Sequence, residues 1–351
     1  MTVPLQNIYY LIAYAVGALP VEGLLERGAT PATTSMELLH ELLCASTESL
    51  LVHGLERAYV EHQSDLRRIR GRPDLSATIG RALLERGQVR CVYDEFSNDT
   101  LANRILRSTL EQLMTARELP RERRLRARRL AERFQGVRSM ELTPQAFEGV
   151  QLHRNNQRYR LPLGVCELLL RSQLPTESEG RYRFEDFTRN EQRMGYLFES
   201  FIRNFIRREM PHFRVSSPRP SWITDATPGS RSVIPSLRTD IVLGLAGETV
   251  VVECKYTHRP LKRRFQGRPK LNRAHLSQLL TYQMALAHTG RPPRYGMLLY
   301  AEVDTPMAYN MVLNHHPVSV RSVNLAQPWT GIHDELLRLG DEIAEALTNH
   351  A

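Results

Sequence analysis

The chain has 351 residues, 42% of them hydrophobic and 24% charged, with a formal net charge of +9. That length is enough for two domains with separate cores, and the composition is that of a soluble globular protein. Four widely spaced cysteines (Cys44, Cys91, Cys166, Cys254) form no C-x-x-C pair, which speaks against a zinc site or a disulfide framework and fits a reducing cytoplasm. The positive charge points to a polyanionic partner such as nucleic acid, against a background of basic proteins that bind nothing anionic.

In chain order, residues 4–19 predict an apolar helix, too short to span a bilayer and without the basic start of a signal peptide; no other run is long enough to span. Residues 35–62 predict a second helix with Ser35 as N-cap, because leucines recur at three and four. A turn-rich basic piece follows, broken by Gly71 and Pro73, with a strand over Val89–Tyr93; it reads as an ordinary surface loop or an exposed finger. Residues 98–116 predict an amphipathic helix capped by Asn98 or Asp99. Pro120 to Arg138 holds eight arginines around a narrow apolar stripe, either a solvated helix face or a surface that tracks phosphates or an acidic partner. Residues 143–171 predict a loop-strand segment and a helix over Val165–Leu170. Leu174–Gly180 is the expected linker, placing a domain boundary between residues 1–175 and residues 181–351.

The second part opens with a helix over Asn190–Glu209, which carries Glu199. A hairpin, a basic loop over Arg259–Arg273, a helix over Ala274–His288 and a strand over Gly296–Ala301 follow. Further strands are expected within Val312–Val323, and a closing helix over 333–347. Helix, antiparallel strands, helix and strand in that order predict an α+β sheet flanked by helices.

The hairpin, Thr239–Tyr256, is where chemistry concentrates. If it turns on Ala246-Gly247, facing residues have numbers that sum to 493, so Asp240 faces Glu253. Lys255, two beyond Glu253, shares that face. Two carboxylates and an ammonium would meet at the end of an apolar element, which is costly unless a metal or partner neutralises them. Carboxylates suit Mg²⁺, which lowers the pKa of a bound water and offsets phosphoryl charge. Lys255 could act on the water or the phosphate, and the Cys254 carbonyl could be a further ligand, while the Cys254 thiol should point to the opposite, buried face. The plain alternative is a surface salt bridge. The chain has three lysines, Lys255, Lys262 and Lys270, against 44 arginines, and all three lie within sixteen residues beginning at this hairpin end.

Thr239-Asp240…Glu253-Cys254-Lys255 resembles the PD-(D/E)XK nuclease signature, with Thr where Pro is often found. Glu199 matches a position where many such nucleases place an extra acid. Gln278 and Tyr282, one helical turn apart, resemble the Q-x-x-x-Y motif of the RecB-like branch. More of the chain resembles the McrC family of modification-dependent restriction nuclease subunits. The matching stretches include Gln6–Tyr10, Gly71–Leu75, Asn98–Leu106, Leu142–Pro144, Tyr182–Phe187, Arg189–Glu191, Glu253–Tyr256 and Val323–Leu325. The family often has Asp where this chain has Glu253, and Glu199 is not constant in it.

The resemblance implies an α+β protein in which a mixed α/β, motor-binding N-terminal domain (1–175) precedes a PD-(D/E)XK restriction-endonuclease-like domain (181–351). It implies a cytoplasmic, Mg²⁺-dependent type IV restriction endonuclease directed by modified cytosine, with Asp240 and Glu253 on metal, Lys255 on water or phosphate, and Gln278, Tyr282 and Glu199 in support. It implies as partners double-stranded DNA and a hexameric AAA+ GTPase of the McrB type, which binds the GTP and is stimulated by the N-terminal domain, and no membrane. Arg67–Arg90 would then be a finger reaching into the ring, and dimerisation of complexes would allow double-strand cleavage. The chain has no Walker A string, so GTP belongs to the partner. Two rival readings are an inactive activator and assembly subunit, and a stand-alone DNA-binding protein driven by the arginine run.

Overall fold

The computed structural model of the protein describes residues 3–17, 34–175, 182–184, 186–222, 224, 228–257, 259–262, 269–290, 292–302 and 306–349. The chain forms two compact units, one of Leu39–Glu185 and one that joins Met1–Leu38 to Asp186–Ala351. The division near residue 185 lies close to the expected boundary, but the chain's beginning belongs to the C-terminal unit. The cause is burial: helix α1 (Leu5–Ala15) hides Ile8, Tyr10, Leu11 and Ile12 almost completely. Tyr10 and Tyr14 stack edge-on to Phe201, and Asn7 donates to the carbonyls of Leu325 and Gln327 at 2.8 and 2.7 Å.

Helix α2 (Ser35–His53) is capped by Thr34 rather than Ser35, since the Thr34 hydroxyl accepts from Glu37 N at 3.2 Å. The helix expected to reach residue 62 stops at His53, because Gly54 takes a φ of +87°. Strand β1 (Ala58–Leu66) follows, its exposure alternating with period two over its first seven residues. Strands β2 (Arg72–Pro73) and β3 (Val89–Ser97) complete a three-stranded antiparallel sheet of order β1-β3-β2. Between them sit α3 (Leu75–Gly80), capped by Asp74, and a 3-10 turn at Leu83–Arg86. The basic piece is therefore an ordered, exposed hairpin rather than an irregular loop. Gly71 is required there: at φ +67° a Cβ would lie 2.5 Å from the Val92 carbonyl oxygen.

Helix α4 (Leu101–Thr115) is capped by Thr100, not Asn98 or Asp99. Helix α5 (Arg121–Ala131) carries much of the arginine run, and acids of its own unit meet several of these charges. Arg126 grips Glu41 and Glu48, Arg123 pairs with Glu41, and Arg128 with Glu132. Residues 143–171 contain no strand; they form α6 (Pro144–Glu148), a 3-10 turn (Arg154–Tyr159) and α7 (Arg160–Arg171). Pro162 does not delay α7, because proline is tolerated in a first helical turn. The start of the expected linker is strand β4 (Gln173–Pro175), paired antiparallel with β5 (Tyr182–Phe184); residues 176–180 lie outside the described residues.

In the other unit, α8 (Glu191–Glu209) starts at an Asn190 cap and buries Met194, Leu197, Phe198, Phe201, Ile202 and Phe205. After β6 (Arg214–Ser216) and the short α9 (Pro228–Arg231) come β7 (Ile241–Leu245) and β8 (Glu248–Tyr256). A two-stranded ribbon, β9 (Leu261–Lys262) with β10 (Lys270–Leu271), leads into α10 (Arg273–His288). Strands β11 (Tyr295–Glu302), β12 (Ala308–Leu313) and β13 (His316–Asn324) precede α11 (Trp329–Thr348), which starts four residues before the expected helix. The six-stranded sheet has the order β12-β13-β11-β8-β7-β6, with β11 parallel to both β8 and β13 and the other pairs antiparallel. Leu279, Tyr282 and Ala285 of α10 pack on one face against Val251, Leu298 and Tyr300. Among the described residues no helix is long and apolar enough to cross a membrane.

Candidate functional site

The β7–β8 register runs from Leu245↔Glu248 to Ile241↔Val252, so facing numbers sum to 493 as expected. Ala246 and Gly247 turn the chain with φ of 53° and 90°, the positive angles a tight two-residue hairpin needs. Alternation along β8 then puts Glu253 and Lys255 on the face of Val251, which α10 covers, and Cys254 on the other. Cys254 is buried, and burial holds its thiol far above the ordinary cysteine range.

Asp240 stands at the entry to β7, and its backbone is pinned. Thr239 donates from N and Oγ1 to the Pro218 carbonyl at 3.2 and 3.0 Å. The Asp240 carbonyl accepts from Ser217 Oγ at 2.6 Å and from Arg203 Nε at 3.3 Å. Its carboxylate Oδ2 accepts from Cys254 N at 2.9 Å, crossing to β8. Lys255 Nζ donates to Glu253 Oε1 at 2.6 Å and to Gln278 Oε1 at 2.9 Å. Gln278 Nε2 donates in turn to the Tyr282 hydroxyl at 3.0 Å; because an ammonium can only donate, it is Lys255 that fixes which way the amide faces.

The balance of charge is unusual for a structural ion pair. The Glu253 side chain is 1% exposed and that of Lys255 18%. Glu253 Oε1 has the ammonium, whereas Oε2 is buried with no hydrogen-bond partner. Burial and the neighbouring Asp240 carboxylate push the Glu253 carboxyl up to about 7, against the pull of Lys255. Burial also raises Asp240, opposed by the Cys254 N–H and by Lys255, Arg203 and Arg238. An orphaned, buried carboxylate oxygen beside a second desolvated carboxylate is the environment a divalent cation would relieve. In an extended strand the N–H and C=O of one residue project to the same edge, so the Cys254 carbonyl faces the Asp240 side. Among the described residues no three or more His, Cys, Asp or Glu side chains gather to hold a metal. An ion here would therefore rest on two carboxylates, one carbonyl and waters, an all-oxygen set that fits Mg²⁺.

Of the residues singled out from sequence, Asp240, Glu253, Cys254, Lys255, Gln278 and Tyr282 come together. Glu199 does not join them directly: it is ion-paired with Arg203 one turn along α8, and reaches Asp240 only through that arginine. Arg203 and Ser217, which hold the Asp240 backbone, were missed. Arg203 was detectable as the i+4 partner of Glu199; Ser217 lies just past the short strand β6, and no spacing marks it. Also missed was His275, whose Nδ1 lies 2.8 Å from the buried Tyr300 hydroxyl, with Tyr300 paired in register to Lys255.

Residues 8–301 match the family model described as McrBC 5-methylcytosine restriction system component. The chain is 31% identical over 341 residues to the Escherichia coli (strain K12) type IV methyl-directed restriction enzyme EcoKMcrBC, covering 97% of this chain and 98% of the relative. Two solved structures from Thermococcus gammatolerans are also similar. One is McrB AAA+ hexamers with bound McrC (20% identity, TM-score 0.49, 97% of this chain and 76% of that one). The other is the McrBC complex (23% identity, TM-score 0.40, 59% of each chain). The chain belongs to the McrBC 5-methylcytosine restriction system component family.

Proposed function

We propose that this chain is the McrC-type nuclease subunit of such a restriction system, hydrolysing phosphodiesters of double-stranded DNA with Mg²⁺ at the Asp240–Glu253–Lys255 site. The observation that carries the reading is the orphaned Glu253 Oε2, buried beside the Asp240 carboxylate. Asp240, Glu253 and the Cys254 carbonyl would hold the ion. Bound there, Mg²⁺ would lower the pKa of a coordinated water and offset charge on the phosphoryl oxygens.

The protein's own groups do the positioning. Glu253 Oε1 and Gln278 Oε1 accept two of the three protons of the Lys255 ammonium, leaving the third to orient the attacking water or to donate to a phosphate oxygen. Tyr282 accepts the remaining N–H of the Gln278 amide, whose oxygen is held by the donor-only Lys255. Arg203 and Ser217 fix the Asp240 backbone, so the carboxylate keeps its place when it is charged.

The partner would be an AAA+ GTPase of the McrB type, which binds GTP and reads modified cytosine. The unit Leu39–Glu185 would engage and stimulate it, with the hairpin between β1 and β3 as the reaching element. Asp240→Ala and Lys255→Ala, each in a complex reconstituted with that GTPase, test the reading. DNA cleavage should vanish while GTP hydrolysis continues. Cleavage that persists in a folded Asp240→Ala complex would overturn it.

A further inference from the structure

The segment joining β8 to α10 has no role in the site described so far. From Arg259 to Arg273 it holds seven basic residues (Arg259, Lys262, Arg263, Arg264, Arg268, Lys270, Arg273) and no acidic one. Its described parts are the ribbon β9–β10 and the flanks of that ribbon. The register pairs Lys262 with Lys270, two of the chain's three lysines, at directly opposed backbone positions. Arg259, Lys270 and Arg273 are exposed and have no acidic partner among the described residues. The contrast with α5 is sharp, because there Arg123, Arg126 and Arg128 are met by Glu41, Glu48 and Glu132.

The ribbon is tied to the candidate site at both ends. Leu261 is six residues beyond Lys255, a reach of at most about 21 Å. Arg273 and Gln278 lie on the same helix five residues apart, about 7.5 Å of rise. The junction is braced: Asn272 Oδ1 caps α10 through Ala274 N at 3.0 Å, and Asn272 Nδ2 lies 3.2 Å from His275 Nε2. His275 Nδ1 meets Tyr300, the strand neighbour of Lys255, at 2.8 Å. Charge at the ribbon base is thus held at a fixed place about one duplex width or less from the site; B-DNA presents a phosphate about every 3.4 Å along each strand.

We propose that the β9–β10 ribbon and its flanks, Arg259, Lys270 and Arg273, form a phosphate-binding arm that grips the DNA backbone beside the Asp240–Glu253–Lys255 site. The proposal deepens the nuclease reading and rests on it for the identity of the polyanion. A two-stranded ribbon is narrow enough to follow a duplex groove, and its contacts are to phosphates, so it carries no sequence preference of its own.

The test is binding of a fluorescein-labelled, unmodified 30-base-pair duplex to the full chain by anisotropy across a salt series, for wild type and R259Q/K270Q/R273Q. The triple variant should reduce the slope of log affinity against log salt by about three, one per phosphate contact, and weaken binding by about 100-fold at moderate salt. A second variant, R123Q/R128Q on α5, whose charges are met by Glu41 and Glu132, should change the affinity less than threefold. An unchanged slope in R259Q/K270Q/R273Q with an unchanged melting temperature would overturn the arm. So would loss of polyglutamate binding with DNA binding intact, because it assigns the charge to an acidic protein surface. The outcomes separate from the nuclease reading: Asp240→Ala should keep the full salt slope. A chain that binds DNA through the arm yet cleaves normally as Asp240→Ala would refute the nuclease site and leave the arm standing.

Discussion

Each unit buries a carboxylate, and the two are treated in opposite ways. Asp99, in the unit Leu39–Glu185, has a side chain 5% exposed, and both its oxygens are occupied. Arg104 donates to both at 2.7 Å, and Arg138 donates from N at 2.9 Å and from Nε at 2.7 Å. Burial alone would raise the Asp99 carboxyl, but these bonds hold it well below the usual range. Glu253, in the other unit, is as deeply buried, yet it has one ammonium for one oxygen, none for the other, and a carboxylate as neighbour. A buried acid that serves structure is given its full set of donors; one left short of donors, next to another acid, is available to a cation.

The contrast can be broken at either acid. The largest effect is expected at the unsatisfied site: Asp240→Ala or Lys255→Ala should lower DNA cleavage by at least about 10³-fold in the reconstituted complex, with little change in melting temperature. Asp99→Ala should do the reverse, costing about 1–3 kcal/mol because Arg104 and the Arg138 N–H lose their acceptor, while the folded fraction still cleaves. Denaturant unfolding of the full chain, followed with cleavage assays below the transition, checks both halves. A destabilised Asp240→Ala with residual cleavage would reverse the assignment of the two acids.

The pH behaviour sharpens the same comparison. Glu253 has a folded pKa raised from 4.5 to about 7, so its favourable contribution is present below 4.5 and is lost as pH rises through about 7. Asp99 has a depressed folded pKa, so its contribution is present above 3.8 and is lost only on acidification through that lower value. Without divalent ions, Glu253→Gln should therefore be at least as stable as wild type at pH 8 and no more stable at pH 4. Divalent-ion affinity of the wild type should fall about tenfold per unit as pH drops below 7, as the ion must displace the proton. Tyr282→Phe should have the smallest effect, about tenfold or less on cleavage, because it frees the Gln278 amide without removing a charge. If it cost as much as Lys255→Ala, Tyr282 would be touching substrate and not only orienting Gln278.

What the sequence revealed, and what it hid, follows the range of the interactions. The hairpin was legible because turn chemistry and period-two alternation fix its register within eighteen residues, and the ladder from Leu245↔Glu248 to Ile241↔Val252 brings Asp240, at the entry to β7, beside the end of β8. The helix at 191–209 was legible from local periodicity, whereas the pair Gln278–Tyr282 stood out only through its resemblance to the Q-x-x-x-Y motif. The first part of the strand at Ala58–Leu66, up to His62, was read as helix because leucine spacing upstream runs past Gly54, whose left-handed turn ends it. The placement of α1 was hidden because its burial depends on Phe201, Phe205 and Leu325, nearly two hundred or more residues away. The arginine run could not be told from a phosphate surface, because its partners Glu41 and Glu48 lie on a helix some eighty residues upstream.

The most direct measurement is calorimetric titration of Mg²⁺ and Mn²⁺ into the full chain at pH 8, wild type against Glu253→Gln and Asp240→Asn. The wild type should bind a divalent ion, with both variants weakened at least about tenfold and the melting temperature rising with metal only for the wild type. Equal binding by all three proteins, or a wild type that binds neither ion, would contradict the assignment of the Asp240–Glu253 pair as the metal seat of a nuclease.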